Sequence, residues 1–310
     1  LVYMSGFEQN TWDGQPVARG FRAGPILTAP EGLPGAVLDG DLNYEVGTPR
    51  EARKAVDDLL DRGVDVIKVY LQQTANDQPY PMLSEAALKA IVAKAHARDV
   101  LVRAHVTKLD LLPMALACGV DVVEHVPKPD LSNESVERQL QDSQDPLGDL
   151  FNLIVAPEYD VLLPQMAAQG VVMVPTMARA YGRWYGLEDA TPVERVVSDA
   201  VVEIVGHFYR AGGAIALGTD YTSDDPQLSP DMFRREMALL HAAGLTPLQA
   251  IEAATQNAAR ICGHGDELGT LEKGKLADIL IVDGDPTMDL AALENVLTVI
   301  VGGQVAVSSE

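Results

Sequence analysis

Four residues carry side chains suited to a single reaction centre: Lys68, His105, His125 and Asp220. Each stands at or just beyond the C-terminal end of an apolar run that reads as a β-strand: "DVIKVY" (65–70), "LVRAHV" (101–106), "DVVEHV" (121–126) and "AIALGTD" (214–220). Taken singly, each has an ordinary reading. A strand lysine usually carries its ammonium out to solvent. A histidine after an apolar run is more often a hydrogen-bonded core or rim residue, and an aspartate after "LGT" suits an N-cap or a turn. Lys68 fits its ordinary reading least, because Val66, Ile67 and Val69 surround it. Burying an ammonium is costly unless it is paired, neutralised or chemically altered.

Together the four have a purpose if their strands are neighbours in one barrel. Imidazole nitrogens and carboxylate oxygens are zinc-type ligands, and a catalytic zinc keeps one position open for water. A lysine carbamylated by CO₂ becomes a carboxylate that can bridge two metal ions. An apolar, metal-adjacent setting lowers the pKa of the parent amine and makes that conversion feasible.

The elements needed to position these residues are legible. Helical patterns at 48–62, 84–98, 109–118, a stretch ending near Gln169, and 193–211 alternate with strand patterns. The strands are expected at 1–4, 25–29, 64–70, 100–106, 120–126, 171–175 and 214–219. Such alternation means βα units and a parallel sheet covered on both faces. The expected fold is α/β, a TIM-like (β/α)₈ barrel with active-site residues at the strand C-terminal ends and one strand short of eight. A doubly wound open sheet is the competitor, but no Gly-rich phosphate loop follows an early strand. Two helices, 229–243 and 247–262, come next, and 276–306 turns into short β-rich runs. The expected division is a barrel over 1–268 and part of a small β-sandwich over 269–310.

Composition narrows the function classes. The chain has 310 residues, 47% of them hydrophobic, which fits one large domain with an appendage. A net charge of −22 without any basic stripe argues against nucleic acid as a partner. No apolar run reaches the length of a membrane span. Cys118 and Cys262 form no disulfide framework or CxxC site. A cytoplasmic location is expected, with an upstream secretion signal left open because the chain does not begin with methionine. A homo-oligomer is allowed.

The sequence resembles the amidohydrolase superfamily, in its imidazolonepropionase-like branch that includes metal-dependent Xaa-Pro and Xaa-Arg dipeptidases. The resemblance rests on "GVDVIKVY" (63–70), "LVRAHV" (101–106), "GVDVVEHVP" (119–127), "AIALGTDY" (214–221), "LTPLQAIEAATQNAARICG" (245–263) and, most specifically, "GTLEKGKLADILIVDGDP" (269–286). It implies a divalent metal centre, two zinc ions in the complete pattern, that cleaves a C–N bond by a metal-bound hydroxide. The substrate would be a dipeptide, an N-acyl amino acid or a cyclic amide. Lys68 would be the carbamylated bridge, and His105 and His125 ligands of the more exposed metal. Asp220 would bind the more buried metal and serve as general base.

Other positions read less sharply. Glu124 precedes His125, so strict strand alternation turns it to the opposite face, toward the helices. Arg103 shares the face of His105, where a substrate contact and an internal ion pair are both open. Tyr181 and Arg183, in the loop "MARAYGRWYG" (177–186), could line a pocket or lid. His96, His207, His241 and His264 read as structural.

One family feature has no counterpart: no two of the six histidines are two residues apart, so a His-x-His pair is absent. In the family that pair ends the first barrel strand. The opening "LVYMSG" matches the second strand instead, so an N-terminally incomplete barrel with a weak buried metal site and an unsealed gap is expected. Two rivals remain open: a Schiff-base enzyme using Lys68, and a barrel whose chemistry has lapsed in favour of binding or assembly.

Overall fold

The computed structural model describes residues 2–3, 19–37, 42–75, 78–132, 134–179, 184–220 and 231–308. Two short strands, β1 (Val2–Tyr3) and β2 (Phe21–Arg22), pair in parallel outside the main sheet. The main sheet is built from β3 (Ile26–Thr28), β4 (Asn43–Glu45), β5 (Ile67–Leu71), β8 (Val102–Val106), β9 (Val122–Glu124) and β10 (Val172–Val174). A two-residue ribbon, β6 (Thr74–Ala75) with β7 (Gln78–Pro79), follows β5. The six main strands are all parallel, in the order β4-β3-β5-β8-β9-β10.

Local sequence explains the helices between them. Thr48 and Glu51 form a reciprocal capping box at the start of α1 (Pro49–Asp61), whose buried residues Ala52, Ala55, Val56 and Leu59 lie on one helical face. Ser84 caps α2 (Glu85–His96), and α3 (Leu112–Cys118) ends on Gly119 in the left-handed region, φ 80°. The stretch 127–150 contains α4 (Glu134–Gln141) and the start of α5 (Pro146–Ile154). No residue of α4 is buried, which is why its sequence lacks a core-facing stripe. After α6 (Tyr159–Ala168), a second capping box, Thr191 with Glu194, opens α7 (Pro192–Arg210). Then come α8 (Met232–Ala242), α9 (Pro247–Glu252), a π-turn over Ala253–Asn257 and α10 (Ala258–Ile261).

Two strand expectations are corrected. β4 was not foreseen: "NYE" is an edge strand, half exposed, with no apolar alternation to announce it. Conversely, 214–219 forms no full strand. Ile215 makes a single parallel bridge to Met173, and then Leu217 donates to the carbonyl of Ala253 rather than to the sheet. The Asn257 side chain takes up the Ile215 carbonyl at 2.8 Å.

The tail forms an antiparallel sheet, β11 (Ile279–Val282), β12 (Val296–Val301) and β13 (Gln304–Ser308). Gly302 and Gly303 close the last hairpin with φ of 57° and 81°, a two-residue turn whose paired positive φ values glycine adopts without strain. Among the described residues, no helix is long and apolar enough to cross a membrane.

Candidate active site

Parallel register places the chemistry in two layers on one face of the sheet. Lys68, Arg103, Val122 and Val172 are mutual partners in the lower layer, and Tyr70, His105, Glu124 and Val174 in the upper one. Residues between them, such as Val69, Ala104 and Met173, join the large core on the opposite, helix-bearing face. Val122, Val172, Val174, Ala216 and Ile261 form a small separate apolar cluster on the inner face.

Lys68 is 1% exposed and forms an ion pair with Glu124, whose other oxygen accepts from Arg103 Nε at 2.8 Å. Glu124 therefore faces inward, not toward the helices as strict alternation implied. The register aligns it with His105, and His125 joins it on that face only through φ 70°, which breaks the period of two. Of the two roles open for Arg103, the structure shows the ion pair. Burial, with the Arg103 guanidinium close by, holds the Lys68 ammonium well below the ordinary lysine range, while Asp220 opposes that shift.

His105 and His125 meet edge to face, with His125 Nε2 2.8 Å from His105 Nδ1. Their other nitrogens fix the tautomers. His105 Nε2 lies 2.9 Å from Gln72 Oε1, an acceptor, and so carries the proton. His105 Nδ1 is then a lone pair that accepts from His125 Nε2–H. The Thr176 hydroxyl donates to His125 Nδ1 at 2.8 Å. Tyr70 stacks on His105 at 3.8 Å. Burial is the chief reason both rings stay neutral: His125 is pushed down to about 3, and His105 well below its usual value, with Lys68 adding to both.

Asp220 lies beyond Leu217 with φ 53°, and Arg179 binds both its carboxylate, at 3.0 Å, and its carbonyl. Burial raises the Asp220 pKa, while Arg179 and Lys68 oppose the rise. Thr176, with φ 49°, is the third non-glycine residue of the site in the left-handed region. Such conformations cost about 1–3 kcal/mol each and persist only where surroundings enforce them.

Part of that enforcement is Glu236 of α8, fully buried, which accepts from the Met177 and Ala178 amides at 3.0 and 2.6 Å. Burial pushes its carboxyl from 4.5 up to about 7. A carboxyl with a raised native pKa contributes stability that is complete below the unfolded value and lost as pH rises through the native one. The stability of wild type relative to Glu236→Gln should thus fall by about 3 kcal/mol between about pH 4.5 and pH 8. Urea unfolding of both proteins across that range checks this, since other carboxylates cancel in the difference.

Sequence reasoning missed Gln72, Thr176 and Glu236, and turned Glu124 to the wrong face. Thr176 follows a strand end and was open to notice; Glu236 lies in the helical pattern of α8 and carries no local signal. Tyr181 and Arg183 lie outside the described residues. The four remaining histidines make other contacts: His96 with Asp121, His207 with Asp160, His241 with the Leu245 carbonyl, and His264 with Asp65, Glu267 and Phe21.

The amidohydrolase family model matches residues 18–306, nearly the whole chain. The chain belongs to the amidohydrolase family. Amidohydrolases similar to it include the ochratoxinase of Aspergillus niger, 27% identical over 249 residues. That alignment takes 79% of this chain and 46% of the ochratoxinase, so the chain spans less than half of that relative. A crystal structure described as an amidohydrolase matches with a TM-score of 0.66 at 25% identity, covering 94% of this chain and 70% of the other. A Xaa-Pro dipeptidase structure with bound methionine shares the fold, at a TM-score of 0.65, 22% identity, and 94% and 68% coverage.

Members of the family generally use divalent metals, and the imidazole pair suits one. His105 Nδ1 and His125 Nε2 point at each other at 2.8 Å, close to the roughly 3.3 Å between two nitrogens on one tetrahedral zinc. Both rings are neutral, as ligands must be. No group of three or more His, Cys, Asp or Glu suited to a metal occurs among the described residues.

Proposed function

We propose that the chain is a metal-dependent amidohydrolase that cleaves a C–N bond in a dipeptide, an N-acyl amino acid or a cyclic amide. The observation that carries this reading is the facing pair His105 Nδ1 and His125 Nε2, neutral and half-buried at the ends of β8 and β9. The ochratoxinase and the Xaa-Pro dipeptidase support the choice of substrate bond.

Zinc is the metal proposed, held by His105, His125, Asp220 and a carbamylated Lys68. When bound, it would polarise the scissile carbonyl and acidify water enough for attack near neutral pH. The chain's own residues supply the rest. Gln72 and Thr176 hold the two rings by their outer nitrogens; with Gln72 accepting from His105 Nε2–H and the Thr176 hydroxyl accepting from His125 Nδ1–H, both inner nitrogens would present lone pairs to the metal. Arg179 favours the charged form of Asp220, against burial. An ionised Asp220 takes a proton from the attacking water and delivers it to the leaving amine. The barrel over 1–268 would carry all these residues, with 269–310 as a separate small domain.

One observation favours the lapsed-barrel alternative: Lys68 is neutralised here by Glu124. A single set of experiments separates the readings. Chelated protein should be inactive on a panel of dipeptides, acylated amino acids and cyclic amides. Zinc with bicarbonate should raise its rate at least about 100-fold, and ¹³C-bicarbonate should give a carbamate signal that Lys68→Ala lacks. A protein that takes up no metal and gains no activity would refute the proposal. Borohydride trapping of a carbonyl compound on Lys68 would favour the Schiff-base enzyme instead.

A further inference from the structure

We propose that Glu236 is a positioning residue of this site: its buried carboxylate clamps the backbone after β10 and thereby sets Thr176 against His125 and Arg179 against Asp220. The proposal takes the hydrolase site above as its object, but its contacts and its test stand apart from hydrolysis.

Four consecutive residues carry the argument. Thr176 reaches His125, Met177 and Ala178 donate their amides to the two oxygens of Glu236, and Arg179 reaches Asp220. β10 has ended at Val174, so these amides are beyond the sheet ladder. Glu236 sits among Met232, Met237, Leu239 and Leu240 on the buried side of α8, where an apolar residue would pack without desolvation cost. A carboxylate there has one evident use, to accept one bond on each oxygen. The clamp also holds Thr176 at φ 49°, a conformation that a β-branched residue resists. Release of the clamp would let that peptide relax toward the ordinary regions and withdraw the hydroxyl from His125 Nδ1.

A glutamine tests this with little change of shape, because it presents one acceptor and one NH₂ to two N–H donors. The measurement is a long-range ¹H–¹⁵N spectrum of the chelated full chain labelled in histidine, with the signals of His105 and His125 assigned by single His→Asn variants. In wild type, the two ring nitrogens of His125 should be well separated, the mark of a single tautomer. In Glu236→Gln they should move toward a common, averaged position, with His105 shifting alongside. Thr176→Val should produce the same change, while His96, His207, His241 and His264 stay in place. Folding is checked by cooperative thermal unfolding. Should Glu236→Gln fail that check, Glu236→Asp keeps both oxygens on a shorter arm and should give a smaller shift of the same sign. A folded Glu236 variant whose His105 and His125 signals match wild type would overturn the proposal. Because no substrate or metal enters, that result would leave the hydrolase reading intact.

Discussion

Asp220→Asn should lower amide hydrolysis by about 1,000-fold or more while leaving the protein folded and close to wild-type stability. The size follows from what a positioned general base contributes, typically about 10²–10⁴-fold. The selectivity follows from the backbone. Asp220 has φ 53°, and asparagine is among the few residues that tolerate the left-handed region, so the substitution adds no strain. The amide oxygen still accepts from Arg179, but the group can no longer take a proton. Burial already disfavours the charged carboxylate, so loss of that charge removes a cost as well as an ion pair. Comparing kcat/KM on the best substrate of the panel, beside thermal unfolding, checks both halves. A rate within tenfold of wild type would remove Asp220 from the role of base.

Glu124→Gln should destabilise the metal-free protein by about 3–5 kcal/mol. Glu124 is the common carboxylate between Lys68 and Arg103, and the three side chains are 9%, 1% and 7% exposed. Removing its charge leaves the buried Arg103 guanidinium facing a neutral amide and takes from Lys68, already held well below the ordinary lysine range, the partner that keeps it charged. Breaking a buried pair is costly in this way even where the intact pair adds little. For the same reason, the triple change Lys68→Met, Arg103→Met and Glu124→Leu should recover most of the loss, because no charge then remains to be solvated. Denaturant unfolding of the single and triple variants decides it. A single variant within 1 kcal/mol of wild type would mean that water or a rearranged partner compensates the cations.

Much of this protein is legible along the chain because its signals are local. Capping residues Thr48, Ser84 and Thr191 mark helix starts, and the apolar runs around Lys68, His105 and His125 mark strands. Placing reactive residues at strand ends is also a local inference. It brought Lys68, His105, His125 and Asp220 to notice although they span more than 150 positions.

Only tertiary structure decided the rest, and each case has a physical reason. β4 joins the sheet as an edge strand paired in register with β3, and an edge strand need not alternate its side chains. Residues 214–219 meet the sheet at one bridge, because the backbone beyond it is bonded to the turn after α9. Glu124 faces Lys68 because the register aligns it with His105, and His125 joins it on that face only through a positive φ, a torsion that leaves no mark in composition. Glu236 reaches the loop after β10 across 59 and 58 positions, a contact that exists only once α8 has packed. The sequence by itself determined which residues could do chemistry; folding determined which of them touch, because pairing, register and left-handed turns depend on neighbours far along the chain.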